Sequence, residues 1–189
     1  MPSDPKQALL DAAVEHIAAH GYGDISLRAL AAALGTSHRM LIYHFGSKEG
    51  LLVEVVRVME ARQRAVFAEM MPLADLSPAQ FARAFWAKVA DPEMWPRERL
   101  FFEMYGLALQ GRPGTTALLD GIIDSWVDPM TEWGQRAGLP ADVARTWARL
   151  GIAVPRGLLL DLLATGDRKA VDEAMEAFIV SYEAVLASV

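Results

Sequence analysis

The chain has 189 residues, of which 53% are hydrophobic, with no cysteine and a formal net charge of −6. That length suits one compact domain or two small ones sharing a core, and the apolar share excludes a disordered chain. Without cysteine there is no disulfide framework or thiolate metal site. No run approaches the ~18 apolar residues of a membrane span, and the N-terminus lacks the basic and apolar runs of a signal peptide, so a cytoplasmic protein is expected.

Helical periodicity dominates, and no segment alternates convincingly as a strand. Ser3 or Asp4 with Pro5 marks a first helix start, Leu10, Ala13 and Ile17 give it an apolar face, and Gly21 marks its end. His16 and His20 share a face at i, i+4, but no third ligand accompanies them, and they read as solvated histidines rather than a metal site.

The stretch Ser26–Phe45, SLRALAAALGTSHRMLIYHF, reads as two short helices hinged at Gly35. Leu30, Ala31 and Leu34 are the apolar face of the first. Glycine suits the left-handed turn that ends it, because no Cβ opposes that backbone. Ser37 offers a hydroxyl to cap the second helix. Leu41 and Phe45 form its buried stripe, while His38, Arg39, Met40, Tyr43 and His44 lie on its other faces. A short helix that buries little and displays donors and a ring suits the major groove of DNA. Between Ser26 and Lys48 the charges are Arg28, Arg39 and Lys48, with two histidines and no acid. The acidic remainder discourages indiscriminate DNA binding, and so few cations imply that two copies act together. Arg28 has an alternative role in pairing with Asp24. Arg39 suits a guanine edge or a phosphate, and Lys48 opens a helix whose N-terminus also favours an anion.

Gly46-Ser47 is a break, and Ser47 caps a long helix to about Met71 that stops at Pro72. Ser77-Pro78 starts a helix rich in Phe81, Phe85 and Trp86. Pro92 and Pro96 flank Trp95 in an expected connector, before a helix from Leu100 to Gln110. Thr115 to Ala137 reads as one helix disturbed near Pro129. Pro140 opens another, containing Gly151, Pro155 and Gly157. Gly166-Asp167 ends that helix and caps the last, Arg168 to about Ala187. The expected fold is therefore all-α with about nine helices. No internal repeat or low-complexity tract is found.

The three helices, the tight glycine turn, the LxxxF helix and the segment Gly46-Ser47-Lys48-Glu49-Gly50-Leu51-Leu52 together resemble the TetR family of transcriptional regulators over about Gln7 to Leu52. Beyond that the likeness rests on helix count and length. The resemblance implies a dimer of all-α subunits, each with a DNA-binding head (residues 1–46) and a helical ligand-binding and dimerisation body (residues 47–189). It implies that Ser26 and Arg28 approach phosphates, that Ser37, His38, Arg39, Met40 and Tyr43 face the groove, and that His44 and Lys48 grip phosphates again. The chain departs from the family where a tyrosine commonly follows the leucine: Ile42 stands there, with Tyr43 next.

In the body, aromatic and methionine residues are abundant. Most are expected as plain core, yet Trp and Tyr need a partner for their polar atoms and Met fills adaptable space. Trp86, Phe101, Met104, Tyr105, Trp126, Met130 and Trp147 are the candidates to line a pocket for a small hydrophobic or aromatic effector. The acids Glu103, Asp120 and Asp124 read as solvated faces, with a cationic ligand as the alternative. On the last helix, Val171, Met175, Phe178, Tyr182 and Val185 form a heptad-like seam. The preceding helix brings Gly151, Ala153 and Gly157, with Leu158, Leu159 and Leu162. Two such helices from each of two chains would make a four-helix homodimer interface.

The expected function is a ligand-responsive regulator, most simply a repressor, with double-stranded DNA, a small effector and a second copy as partners. No cofactor, metal or membrane is expected. The alternatives are a small all-α enzyme and a DNA-binding protein without an effector. Against the enzyme, no cysteine, acid/base carboxylate pair or Gly-rich phosphate loop is found.

Overall fold

The computed structural model describes residues 4–20, 25–70 and 77–187. Among them the chain is all-α, with nine α-helices: α1 (Pro5–His20), α2 (Leu27–Ala33), α3 (His38–Phe45), α4 (Lys48–Met70), α5 (Pro78–Val89), α6 (Trp95–Leu109), α7 (Asp124–Arg136), α8 (Ala141–Thr165) and α9 (Arg168–Leu186). Single 3₁₀ turns precede α6 at Pro92–Met94 and α7 at Thr116–Leu119. The expected helix end at Gly21, the Arg28–Asp24 pair and the stop at Met71–Pro72 fall outside the described residues.

Two expected boundaries move. The connector around Trp95 is shorter than the prolines suggest. Asp91 caps the 3₁₀ turn by accepting from the Glu93 amide, and α6 begins at Trp95, five residues early. Pro96 then stands in the first turn, where its missing N–H has no intrahelical partner to lose. The expected single helix from Thr115 to Ala137 is broken at Gly121, which adopts φ 67°, and not at Pro129, which lies within α7.

The chain divides into two compact units. The first is Met1–Gln63 with Pro96–Asp120; the second is Arg64–Trp95 with Gly121–Val189. In the first, Leu10, Ala13, Val14 and Ile17 are the buried face of α1, and Leu27, Leu30 and Ala31 that of α2. α4 contributes Leu51, Leu52, Val55 and Val56, and α6 contributes Leu100, Phe101 and Met104.

Gly50 is required by how closely α3 and α4 meet. A Cβ there would stand 2.2 Å from the carbonyl oxygen of Phe45. The start of α4 is further held by the Gly50 amide donating to Ser47 Oγ at 2.9 Å, and by an Arg112–Glu49 pair at 3.7 Å. The Arg57 guanidinium donates to the Ala117 carbonyl.

In the second unit α7 packs on α8, α8 on α9, and α9 on α5. Gly134 lets α7 approach α8, since a Cβ would lie 3.2 Å from that of Ala144. Arg83 grips Glu176 with two bonds of 2.6 and 2.8 Å, tying α5 to α9. That hydrogen bond holds the Glu176 carboxyl below its ordinary range and raises the Arg83 guanidinium. Val171, Met175 and Ile179 are the buried residues of α9 and Leu159 and Leu162 are among those of α8.

Candidate functional site

The first candidate site is the outer face of α3. Ser37 caps α3 by accepting from the Met40 amide at 3.2 Å, and Ser26 caps α2 by accepting from Ala29 at 3.2 Å. Gly35 takes φ 65°, which lets the chain turn between them. Leu41 and Phe45 turn inward and are buried. Around them Ser37, His38, Arg39, Met40, Ile42 and Tyr43 are exposed, Tyr43 by 78%. Neither Arg28 nor Arg39, both exposed, forms an ion pair with a described residue. The cap hydroxyls accept through lone pairs and keep an O–H to donate.

His44 is placed differently from its neighbours. Its ring meets Tyr43 edge-on at 5.0 Å, and its Nε2 is buried with no hydrogen-bond partner among the described residues. Only Nδ1 is left for an anion. Lys48 is half-buried at the first position of α4. The structure thus brings Ser37, His38, Arg39, Met40 and Tyr43 onto one short helix, with Lys48 two residues beyond its end cap. His16 and His20 stack at 4.5 Å, and no group of three metal-ligating residues occurs among the described residues.

The second candidate site is a cavity of about 80 Å³ inside the second unit, partly open to solvent. α5, α7, α8 and α9 line it, with Phe67 of α4. Of the seven residues singled out from the sequence, Trp126, Met130 and Trp147 are in its wall. Trp86 is not: it is buried and its indole N–H donates to Asp172 at 2.6 Å, a partner that Arg168 also holds. Phe101, Met104 and Tyr105 belong to α6 in the first unit and do not line this cavity; Phe101 and Tyr105 stack on each other at 5.4 Å.

Sequence reasoning missed Phe67, Phe81, Phe85, Trp133, Phe178 and Tyr182 as wall residues. Phe178 and Tyr182 belong to the expected seam of Val171, Met175, Phe178, Tyr182 and Val185. Both rings lie against Trp147, at 5.9 and 5.3 Å between centroids. The signal that could have found them is aromatic pairing at i, i+4, in Phe81/Phe85 and Phe178/Tyr182, on two helices. Phe67, Phe81 and Trp126 form a buried cluster of edge-to-face rings at one side, Phe67–Phe81 at 4.9 Å and Phe67–Trp126 at 5.8 Å. Burial pushes the Tyr182 hydroxyl above the usual tyrosine range. No Asp, Glu, Lys or Arg is among the lining residues. The Glu103, Asp120 and Asp124 side chains therefore offer no charge to this wall.

An exposed helix-turn-helix on one unit and an aromatic cavity among the helices of the other define the class: an all-α helix-turn-helix protein. Residues 9–55 match the model of the bacterial regulatory proteins of the tetR family. The chain is similar to the HTH-type transcriptional regulatory protein RaaS of Mycobacterium tuberculosis, 54% identical over 41 residues, which is 22% of this chain and 19% of that protein. It is also similar to the HTH-type transcriptional repressor AcnR of Corynebacterium glutamicum, 35% identical over 68 residues, 36% of each chain. These matches thus span from under a fifth to about a third of the relatives' own lengths. In three dimensions the chain is similar to a TetR transcriptional regulator from Legionella pneumophila, with TM-score 0.70, 21% identity and coverage of 96% of this chain and 99% of that one. A transcriptional regulator from a Rhodococcus species gives TM-score 0.73 at 18% identity, covering 94% and 95%. Residues 9–55 thus match the tetR family, and over nearly its whole length the chain shares the fold of these solved regulators.

Proposed function

We propose that this protein is a ligand-responsive transcriptional regulator, acting most simply as a repressor. In this reading residues 1–46 are the DNA-binding head and residues 47–189 the ligand-binding and dimerisation body. The observation that carries it is the solvent-facing side of α3, where Arg39 and a 78% exposed Tyr43 stand beside Ser37 and His38 with nothing packed over them among the described residues. A ring left that wet is a poor contributor to folding, and its contact is made elsewhere. Two heads would enter successive major grooves about 34–36 Å apart on one face of a palindromic operator.

A second copy has an apolar stripe to meet. Leu150, Ala153, Gly157 and Leu160 are exposed along α8, and Ala177 and Val180 along α9. This stripe replaces Val171 and Met175, buried within the chain, as the expected seam between two copies. The effector is a small, uncharged, ring-bearing molecule, because the wall is aromatic and carries no formal charge. α4 runs unbroken from Lys48 to Met70 and supplies Phe67 to the wall, so it is the element on which an effector would act. To release DNA the effector must bind the free form better than the DNA-bound form, since only differential affinity moves the equilibrium.

The test is selection of duplexes from a random pool by the purified protein. A palindrome with half-sites one helical turn apart is expected, lost for Arg39→Ala. Recovery of no sequence preference at any salt overturns the regulator reading.

A further inference from the structure

Pro155 lies inside α8 and cannot supply the N–H that the carbonyl of residue 151 would accept in an unbroken helix. In an α-helix the carbonyl of residue i is directed along the helix toward residue i+4, so it lies on the face those two residues share. Here residue i is Gly151, residue i+4 is Pro155, and both line the aromatic cavity. The freed carbonyl therefore belongs to the cavity wall, and glycine places no side chain over it. Met130 takes up that space: a Cβ on Gly151 would stand 2.9 Å from its Cε. A thioether is a flexible filler that a ligand can displace.

The rest of the wall lacks a dedicated acceptor. Its polar side chains are the indoles of Trp126, Trp133 and Trp147, which donate only, and the Tyr182 hydroxyl, which donates as readily as it accepts. We propose that the Gly151 carbonyl is the acceptor of this cavity, and that the effector is a flat apolar ring system carrying one N–H or O–H donor directed at it. This deepens the proposed effector role of the cavity and rests on it. An acceptor facing a solvent-accessible cavity takes its bond from water until a ligand arrives. A donor-free ring would displace that water without replacing its bond, and an orphaned acceptor weakens binding.

The test uses two nearly isosteric probes, indole with its N–H and benzofuran with an ether oxygen in that place, titrated calorimetrically into the full chain. Indole is expected to bind about three- to ten-fold more tightly, the net worth of one neutral hydrogen bond. Pro155→Ala restores the helical N–H and occupies the carbonyl from within the helix. In that variant the ratio of indole to benzofuran affinity should fall to near unity, whatever the change in the two affinities themselves. Equal binding of both probes to the unaltered protein overturns the inference and leaves the apolar cavity reading standing. A preference that survives in Pro155→Ala also overturns it, since the donor then goes to another group. Binding of neither probe to either protein overturns the effector reading and this inference with it.

Discussion

Tyr43 and Trp126 show two opposite uses of an aromatic ring. On α3, Tyr43 is 78% exposed and touches little but the edge of His44. In the body, Trp126 is 5% exposed and is packed edge-on against Phe67 and Phe85. The eight-residue α3 buries only Leu41 and Phe45, packs on α2, and leaves most of its remaining surface to solvent. The body helices instead turn their rings toward one another and leave a void where they meet. In the proposed reading the exposed ring meets another molecule and the buried rings surround a guest. The same residue type thus carries different information depending on what the fold places in front of it.

Within α3 the contrast can be sharpened by mutation. Leu41→Ala removes a fully buried side chain and should destabilise the head by about 2–5 kcal/mol, read as a fall in the thermal or urea midpoint. Gly50→Ala drives a methyl into the Phe45 carbonyl and should destabilise the same region by about 1–3 kcal/mol. Tyr43→Ala should leave stability within about 0.5 kcal/mol and still weaken binding to a selected duplex. A Tyr43 variant that unfolds the head would break the comparison, because the ring would then be structural.

In the body, Gly151→Ala should change stability little. The gain in helix propensity, about 0.5–1 kcal/mol, is offset by moving Met130. Its effect should appear in ring-ligand affinity, which falls as the methyl occupies the wall.

A smaller effect concerns the α5–α9 clasp. Arg83 holds the Glu176 carboxyl below its ordinary value, so the unfolded chain binds its proton at higher pH than the folded one. The stabilisation is therefore present above the ordinary glutamate range and fades as pH falls through the depressed folded value. Glu176→Gln should reduce the acid sensitivity of unfolding in that window, and both groups being solvent-exposed keeps the change small.

The helix-turn-helix was legible in the sequence because its signals are local. Gly35 for the turn, Ser37 for the cap and Leu41 with Phe45 for the stripe lie within eleven residues, and each acts on its immediate neighbours. Their neighbours on the helix are exposed by subtraction. His44 is the exception, since which of its nitrogens is covered depends on packing around the ring and not on its position in the helix.

The cavity was only half legible. Trp86 and Trp147 look alike in sequence, each within a helix and flanked by basic residues. Asp172, eighty-six residues away, engages the first, while Phe178 and Tyr182 accompany the second at the void. Such pairings are set by the register of α9 against α5 and α8, which no local pattern encodes. Phe101, Met104 and Tyr105 carry the same apolar and aromatic signature and serve another core. Likewise Pro129 looked like the helix breaker, yet Gly121 broke the chain, because glycine reaches a left-handed backbone that proline cannot.

The most direct test of the α3 surface is fluorescence anisotropy of a labelled duplex across a salt series, for the unaltered chain and for Arg39→Ala. The account predicts affinity that falls log-linearly with salt. It also predicts a loss of about 1–3 kcal/mol in the variant on a selected site, with a much smaller loss on unrelated duplex. Salt-independent binding, or identical curves for the two proteins on both duplexes, would contradict it.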